Sequence, residues 1–212
     1  IIGDGHLANP NKSYDKLTTY NSEIIITDGN KETFIFLRIL FEQLFDYSPA
    51  IYSEKSKTGR EFYRFVIRSK PLHRFLMIVC YIPTGRIYEK TDIPQIIKNA
   101  PLDLKKWFIV GFFDADGCLR LSQNKYPEVS ISQLRPEILN SIIKISENFN
   151  IKWNGPYQNH SIRNNSNVIK ITNIKGVEKF LKVFISLNPI KIKQSEVLWK
   201  KIEDSKKLSL MP

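Results

Sequence analysis

Ile109-Val110-Gly111-Phe112-Phe113-Asp114-Ala115-Asp116-Gly117-Cys118-Leu119 couples an apolar run to two acids and a glycine. From Trp107 to Phe113 the run is apolar on all sides, the pattern of a helix buried between neighbours. Gly111 and Ala115 share one helical face, where small side chains let a second helix approach closely. Asp114 and Asp116 then fall at the helix C-terminus, where the macrodipole disfavours a carboxylate. Gly117 is a natural C-terminal stop.

A shorter copy, Ile1-Ile2-Gly3-Asp4-Gly5-His6-Leu7, precedes it by 112 residues, counting Asp4 against Asp116. An isolated Asp-Gly is ordinarily a turn, but two copies in register argue for a duplicated unit. Measured from the acids, Glu23, Lys70 and Pro83 stand at offsets 19, 66 and 79, and Glu128, Lys175 and Pro189 at 12, 59 and 73. One insertion of about seven residues, near Asn9 to Lys16, accounts for nearly all of the difference. Ile1 stands inside the first motif with no initiating methionine, so that copy is expected to continue upstream.

The elements repeat as well. Glu23 to Thr27 and Glu128 to Ser132 alternate as strands, each followed by a helix-period run, Lys31 to Phe45 and Pro136 to Phe149. Strand pairs follow, Ala50 to Lys55 with Glu61 to Ser69, and Ile151 to Gln158 with Asn167 to Thr172, joined by polar turns at Ser56 to Arg60 and Asn159 to Ser166. Amphipathic helices over Pro71 to Tyr81 and Lys175 to Leu187 close the halves before Pro83 and Pro189. A tail helix is expected over Gln194 to Lys207. The pattern αββαββα, twice, predicts an α+β protein of two pseudo-symmetric halves, with antiparallel sheets covered by helices on one face and polar on the other. The expected divisions are an N-terminal repeat at 1–83, a linker at 84–102 and a C-terminal repeat with its tail at 103–212.

The formal charge of +11, from 32 Lys plus Arg against 21 Asp plus Glu, calls for a polyanionic partner. It is uneven: residues 1–100 carry 14 basic and 11 acidic side chains, a balance of +3, and residues 101–212 carry 18 and 10, a balance of +8. On the presumed strands and tips, basic and amide side chains mix with aromatics: Tyr52, Lys55, Lys57, Arg60, Tyr63, Arg64 and Arg68, then Gln158, Asn159, Arg163, Asn164, Asn165, Asn167 and Lys170. Arg, Lys, Asn and Gln are the side chains that read base edges. The early loops add Asn11, Lys12, Tyr14 and Lys16, then Arg120, Gln123, Asn124 and Lys125. A strand of about eight residues spans about 26 Å, or about eight base pairs per half and about 16 in all.

The motif around Asp116 resembles the signature of the LAGLIDADG homing endonucleases, with Ile109, Gly111, Asp114, Ala115, Asp116 and Gly117 in the expected places. Lys70-Pro71-Leu72-His73-Arg74-Phe75-Leu76 and Asn188-Pro189-Ile190-Lys191-Ile192-Lys193-Gln194 look like further segments of that family. The resemblance implies paired signature helices between the halves, sheets forming a DNA-binding saddle, and a staggered cut of both strands by one chain. It also implies that Asp4 and Asp116, with the carbonyls of Gly3 and Ala115, bind divalent metal. The first copy departs at Ile2, where the earlier acid would stand. Lys193 is the candidate support for the attacking water, with Gln133 and Arg135 after the central strand. The first half has Asp28, Gly29 and Asn30 there instead, and Lys31 reads as a helix start.

Mg²⁺ suits such a site because it takes oxygen ligands, keeps waters and needs few carboxylates, with Mn²⁺ able to substitute. Cys80, Cys118 and the three histidines form no zinc spacing, and two cysteines suit a reducing compartment. No stretch reaches membrane-spanning length. The expectation is a soluble intracellular monomer acting on an asymmetric double-stranded DNA site, in an archaeal cytoplasm or an organelle matrix. An intron-RNA maturase and a non-cleaving DNA-binding regulator are the readings from other classes.

Overall fold

The computed structural model describes residues 5–8, 22–84, 92–161 and 164–208, in two compact units, 1–96 and 97–212. In the first unit β1 (Gly5–Leu7), β2 (Glu23–Asp28), β3 (Ala50–Lys55) and β4 (Glu61–Arg68) form an antiparallel sheet in the order β1-β2-β4-β3. Helix α1 (Lys31–Phe45) lies between β2 and β3 in sequence, and α2 (Lys70–Arg74) follows β4. A short α3 (Gln95–Lys98) falls inside the expected linker.

The second unit repeats the plan. Helix α4 (Leu102–Asp116) leads into β5 (Gly117–Ser122), β6 (Tyr126–Gln133), α5 (Pro136–Glu147), β7 (Asn154–Ser161), β8 (Asn164–Ile171), α6 (Ile174–Val183) and α7 (Pro189–Leu208). Its antiparallel sheet has the order β5-β6-β8-β7, the counterpart of the first. Equivalent registers put apolar pairs on the helix-covered face, Ile24 opposite Ile67 and Ile26 opposite Phe65 in one sheet, Val129 opposite Ile171 and Ile131 opposite Ile169 in the other.

Each sheet buries its own core. Phe34 of α1 stacks on Phe65 at 5.5 Å, with Leu7, Ile24 and Ile67 around them. In the second unit Phe113 meets Phe180 edge-on at 4.9 Å, and Trp153 meets Phe180 at 5.4 Å. Such aromatic pairs add to the burial of apolar area that holds each sheet to its helices.

Local chemistry sets the element ends. Asn30 caps α1 by accepting from the Glu32 amide, while Asp28 accepts from the Asn30 amide at 2.9 Å. The Asp28-Gly29-Asn30 departure is therefore a helix-start device. Asn173 caps α6 in the same way, accepting from the Gly176 amide at 2.6 Å. Asn173→Ala is expected to cost about 1 kcal/mol of stability in urea unfolding; an unchanged midpoint would mean that the cap is idle.

Several boundaries differ from the sequence expectation. The run Pro71 to Tyr81 is α-helical only to Arg74 and then π-helical over Phe75–Val79, with the Cys80 amide donating to the Phe75 carbonyl. Bulky and β-branched residues crowd that turn, and one wide turn accommodates the extra residue. Pro189 starts α7 instead of ending α6, because proline at the first helical position has no amide hydrogen bond to lose. Asn188 supplies the cap, accepting from the Ile190 amide at 2.9 Å. Strands β7 and β8 extend to Ser161 and from Asn164, so Asn159, Asn164 and Asn165 belong to strands and not to a loop. Helix α4 buries Ile109, Val110, Phe112 and Phe113 against its own unit, with Leu104, Trp107 and Gly111 on its other face. Among the described residues no helix is long and apolar enough to cross a membrane.

Candidate active site

Asp116 is the last residue of α4 and Gly117 the first of β5, so helix passes to strand with no connecting residue. Only glycine fits there: a Cβ on Gly117 would lie 2.1 Å from the Phe113 ring and 2.4 Å from the Phe113 carbonyl. The β5–β6 hairpin then returns the chain so that Gln133, at the end of β6, donates from Nε2 to Asp116 Oδ2 at 2.7 Å. Two sequence-predicted residues, 17 positions apart, thus form one polar unit.

The other acid of the motif has a different environment. Asp114 accepts from Ser186 Oγ at 2.5 Å and from the Leu187 amide at 3.2 Å, and its carbonyl accepts from Asn188 Nδ2 at 3.5 Å. Burial pushes the Asp114 carboxyl above its ordinary value, an effect opposed by the Ser186 hydroxyl, by the Leu187 and Asn188 backbone amides and by Lys191. Asp114 therefore ties the α6–α7 corner to the end of α4, while Asp116 faces Gln133.

Lys191 donates from Nζ to the Gly117 carbonyl and sits 5.7 Å from the Phe113 ring centroid. It reaches the end of the motif from α7, within the Asn188 to Gln194 segment that the sequence singled out. Lys193 is exposed on α7, and Arg135 stands at the N-cap position of α5. Ala115 is exposed beside Asp116. Gly3, Asp4, Asn11, Lys12, Tyr14, Lys16 and Arg163 lie outside the described residues.

The sheet faces turned away from the helices carry much of the predicted interface. In the first unit Arg68 pairs with Glu23 at 2.9 Å and with Tyr52 Oη at 3.1 Å, and Arg64 pairs with Glu54 at 2.8 Å. Lys57 and Arg60 are exposed at the β3–β4 turn. Tyr63 differs from expectation: its strand parity places it with Phe65 and Ile67, packed on the core. Lys55 shares that parity at the strand tip.

In the second unit Arg120 lies on β5 and not in a loop, opposite Glu128. Gln123 and Asn124 turn the β5–β6 hairpin with φ of 52° and 55°, and with Lys125 they are exposed. Lys170 approaches Glu128 at 3.8 Å. Gln158 is exposed on β7. Asn167 has the parity of the core-facing positions and donates from Nδ2 to the Leu134 carbonyl at 3.0 Å, which makes it a strand-end brace. Pairing register, which composition does not reveal, separates these residues from their neighbours.

Comparison with known proteins agrees with this architecture. Residues 103–184 match the model of the family described as a LAGLIDADG-like domain. Homing endonuclease I-ApeI of Aeropyrum pernix is 32% identical over 97 residues, 45% of this chain and 43% of that protein. A probable translation initiation factor IF-2 of Methanocaldococcus jannaschii is 34% identical over 88 residues, 37% of this chain and 8% of that protein. The chain thus spans less than half the length of either relative. Among solved structures, variants of the homing endonuclease I-DmoI superpose with a TM-score of 0.58 at 17% identity, covering 87% of this chain and 86% of theirs. The N-terminal LAGLIDADG domain of WhiA superposes with a TM-score of 0.50 at 17% identity, covering 80% and 75%. Fold and motif together define a two-repeat LAGLIDADG architecture. Residues 103–184 carry a LAGLIDADG-like domain, and the fold of the chain is the one that the I-DmoI structures share.

Proposed function

We propose that the chain is a site-specific endonuclease that hydrolyses one phosphodiester on each strand of a long, asymmetric double-stranded DNA target. The observation that carries this reading is the Gln133–Asp116 hydrogen bond at the end of the motif helix, on a unit whose sheet bears Arg120 and Lys170. A regulator or maturase on the same fold has no need of an oriented acid. Asp4, in the matching motif, is the proposed second acid, and each of the repeats 1–83 and 103–212, joined by 84–102, brings a sheet long enough to follow about eight base pairs.

The residues fit a hard divalent cation. Asp116 and the Ala115 carbonyl are oxygen donors at the negative end of a helix, where a cation is favoured. Oxygen donors of this kind suit Mg²⁺ or Mn²⁺, which keep several waters, better than zinc, which takes nitrogen and sulfur ligands. When bound, the cation polarises the phosphate and lowers the pKa of a coordinated water. I-DmoI has been solved with its target DNA in the presence of Mg and with DNA and Mn, which supports the same partners here. Gln133 holds the Asp116 carboxylate in one orientation, and Lys193 is the proposed donor to the water network.

The test is incubation of the full chain with a randomised double-stranded DNA library in Mg²⁺, against a Ca²⁺ control, followed by sequencing of new ends. Discrete Mg²⁺-dependent ends at one long asymmetric site are expected. Tight, salt-sensitive binding with no new ends would transfer the assignment to a non-cleaving regulator, and selective retention of structured RNA would transfer it to a maturase.

A further inference from the structure

Glu128 sits where an acid works against the chain's electrostatics. It lies on the sheet face turned away from the helices, opposite Arg120 on β5, and its side chain is only 5% exposed. A carboxylate on a surface meant for DNA repels phosphate and lowers affinity, and its burial costs free energy unless it is well paired. It is well paired: Arg120 Nε and Nη2 approach Glu128 Oε1 at 2.8 and 2.6 Å, and Lys170 Nζ lies 3.8 Å from the same oxygen.

The pairing leaves Arg120 half committed. Its Nε side is held by the carboxylate, yet the side chain is 53% exposed, and its remaining N–H groups have no protein partner among the described residues. Those terminal donors form the planar fork that matches guanine O6 and N7 in the major groove. Two first-unit arginines are also paired with acids, but Arg68 donates from Nη1 to Tyr52 Oη and Arg64 commits Nη1 to Glu54, so each fork is partly occupied within the protein. A guanidinium fixed before binding loses less side-chain freedom on contact. The exposed residues at the hairpin tip, Gln123, Asn124 and Lys125, suit phosphate contact.

Resting on the DNA-binding reading above, we infer that Glu128 is a specificity-determining residue: it positions Arg120 to read one guanine in the half-site of the second unit. Its function is base selection, at the expense of general affinity.

The experiment selects bound sequences from a randomised double-stranded DNA library in Ca²⁺, with the wild-type chain, Glu128→Gln and Arg120→Lys side by side. The wild type is expected to give a long consensus. In both variants the enrichment of one and the same guanine falls about tenfold, other positions hold, and affinity for bulk DNA does not fall in Glu128→Gln. Enrichment unchanged at every guanine, or reduced evenly across the site, overturns the inference and leaves the endonuclease reading intact. A wild type that selects no consensus overturns that reading and the inference with it. Should thermal melting show Glu128→Gln to be unfolded, Arg120→Lys decides alone, since it keeps the charge and the ion pair but not the fork; retained guanine preference in that variant overturns the proposal.

Discussion

Asp116→Asn is expected to slow cleavage of at least one strand by about a thousandfold or more, the loss of several kcal/mol of metal-assisted stabilisation, with binding to target DNA in Ca²⁺ nearly unchanged. The substitution isolates charge from shape. An asparagine at 116 keeps an oxygen that accepts from Gln133 Nε2, now 2.7 Å from the carboxylate, so the β6 end and the helix end stay joined. What it removes is the negative charge at the C-terminus of α4, where a carboxylate is disfavoured by the helix dipole. The variant is therefore expected to be as stable as the wild type, or more stable by about 0.3–1 kcal/mol. A supercoiled plasmid carrying the selected site separates the outcomes, because loss of one strand's cut yields nicked circles and loss of both leaves the plasmid intact. Equal loss of binding, stability and cutting would sink the proposal and give Asp116 a purely structural role.

The two halves were legible because periodicity and offset are carried by many residues at once. Strand β3 over Ala50–Lys55 and α1 over Lys31–Phe45 match the sequence expectation at both ends, since alternation and helical spacing each accumulate over several turns of chain. Single-residue features were less legible. Whether Tyr63 or Arg64 faces away from the helices depends on a register that pairs β4 with both β2 and β3, and a shift of one residue would exchange them. Pro189 satisfies a helix start as well as a helix stop, and the cap from Asn188 decides between them. The site followed the same division. The Asp116 motif was visible as a pattern, whereas the Lys191 contact with the Gly117 carbonyl depends on how α7 crosses β5.

Asp114→Ala is expected to destabilise the second unit by about 1–3 kcal/mol, because it strands the Ser186 hydroxyl, which the fold has buried. Ser186 is 9% exposed, and the Asp114 carboxylate accepts from its hydroxyl and from the Leu187 amide together. Removing it leaves that hydroxyl and amide without their acceptor and frees the α6–α7 corner from α4. Asp114→Asn is milder, about 1 kcal/mol, since its amide oxygen accepts from Leu187 while the Ser186 hydroxyl rotates to accept from the new NH₂. The pair also has a pH signature. Burial raises the Asp114 carboxyl in the native state, so the folded chain keeps that proton after the unfolded chain, with an ordinary value of about 3.9, has released it. Its contribution is thus fully present below the unfolded value and is lost as pH rises through the raised native one. Wild-type stability relative to Asp114→Asn should therefore decline from about pH 4 upward, as read by urea unfolding across that range. A difference that stays flat, or an Ala variant within about 0.5 kcal/mol of wild type, would place Asp114 outside the framework of the corner. Because the acid two residues on is untouched, cleavage by Asp114→Asn should follow the folded fraction alone, the opposite of the separation expected for Asp116→Asn.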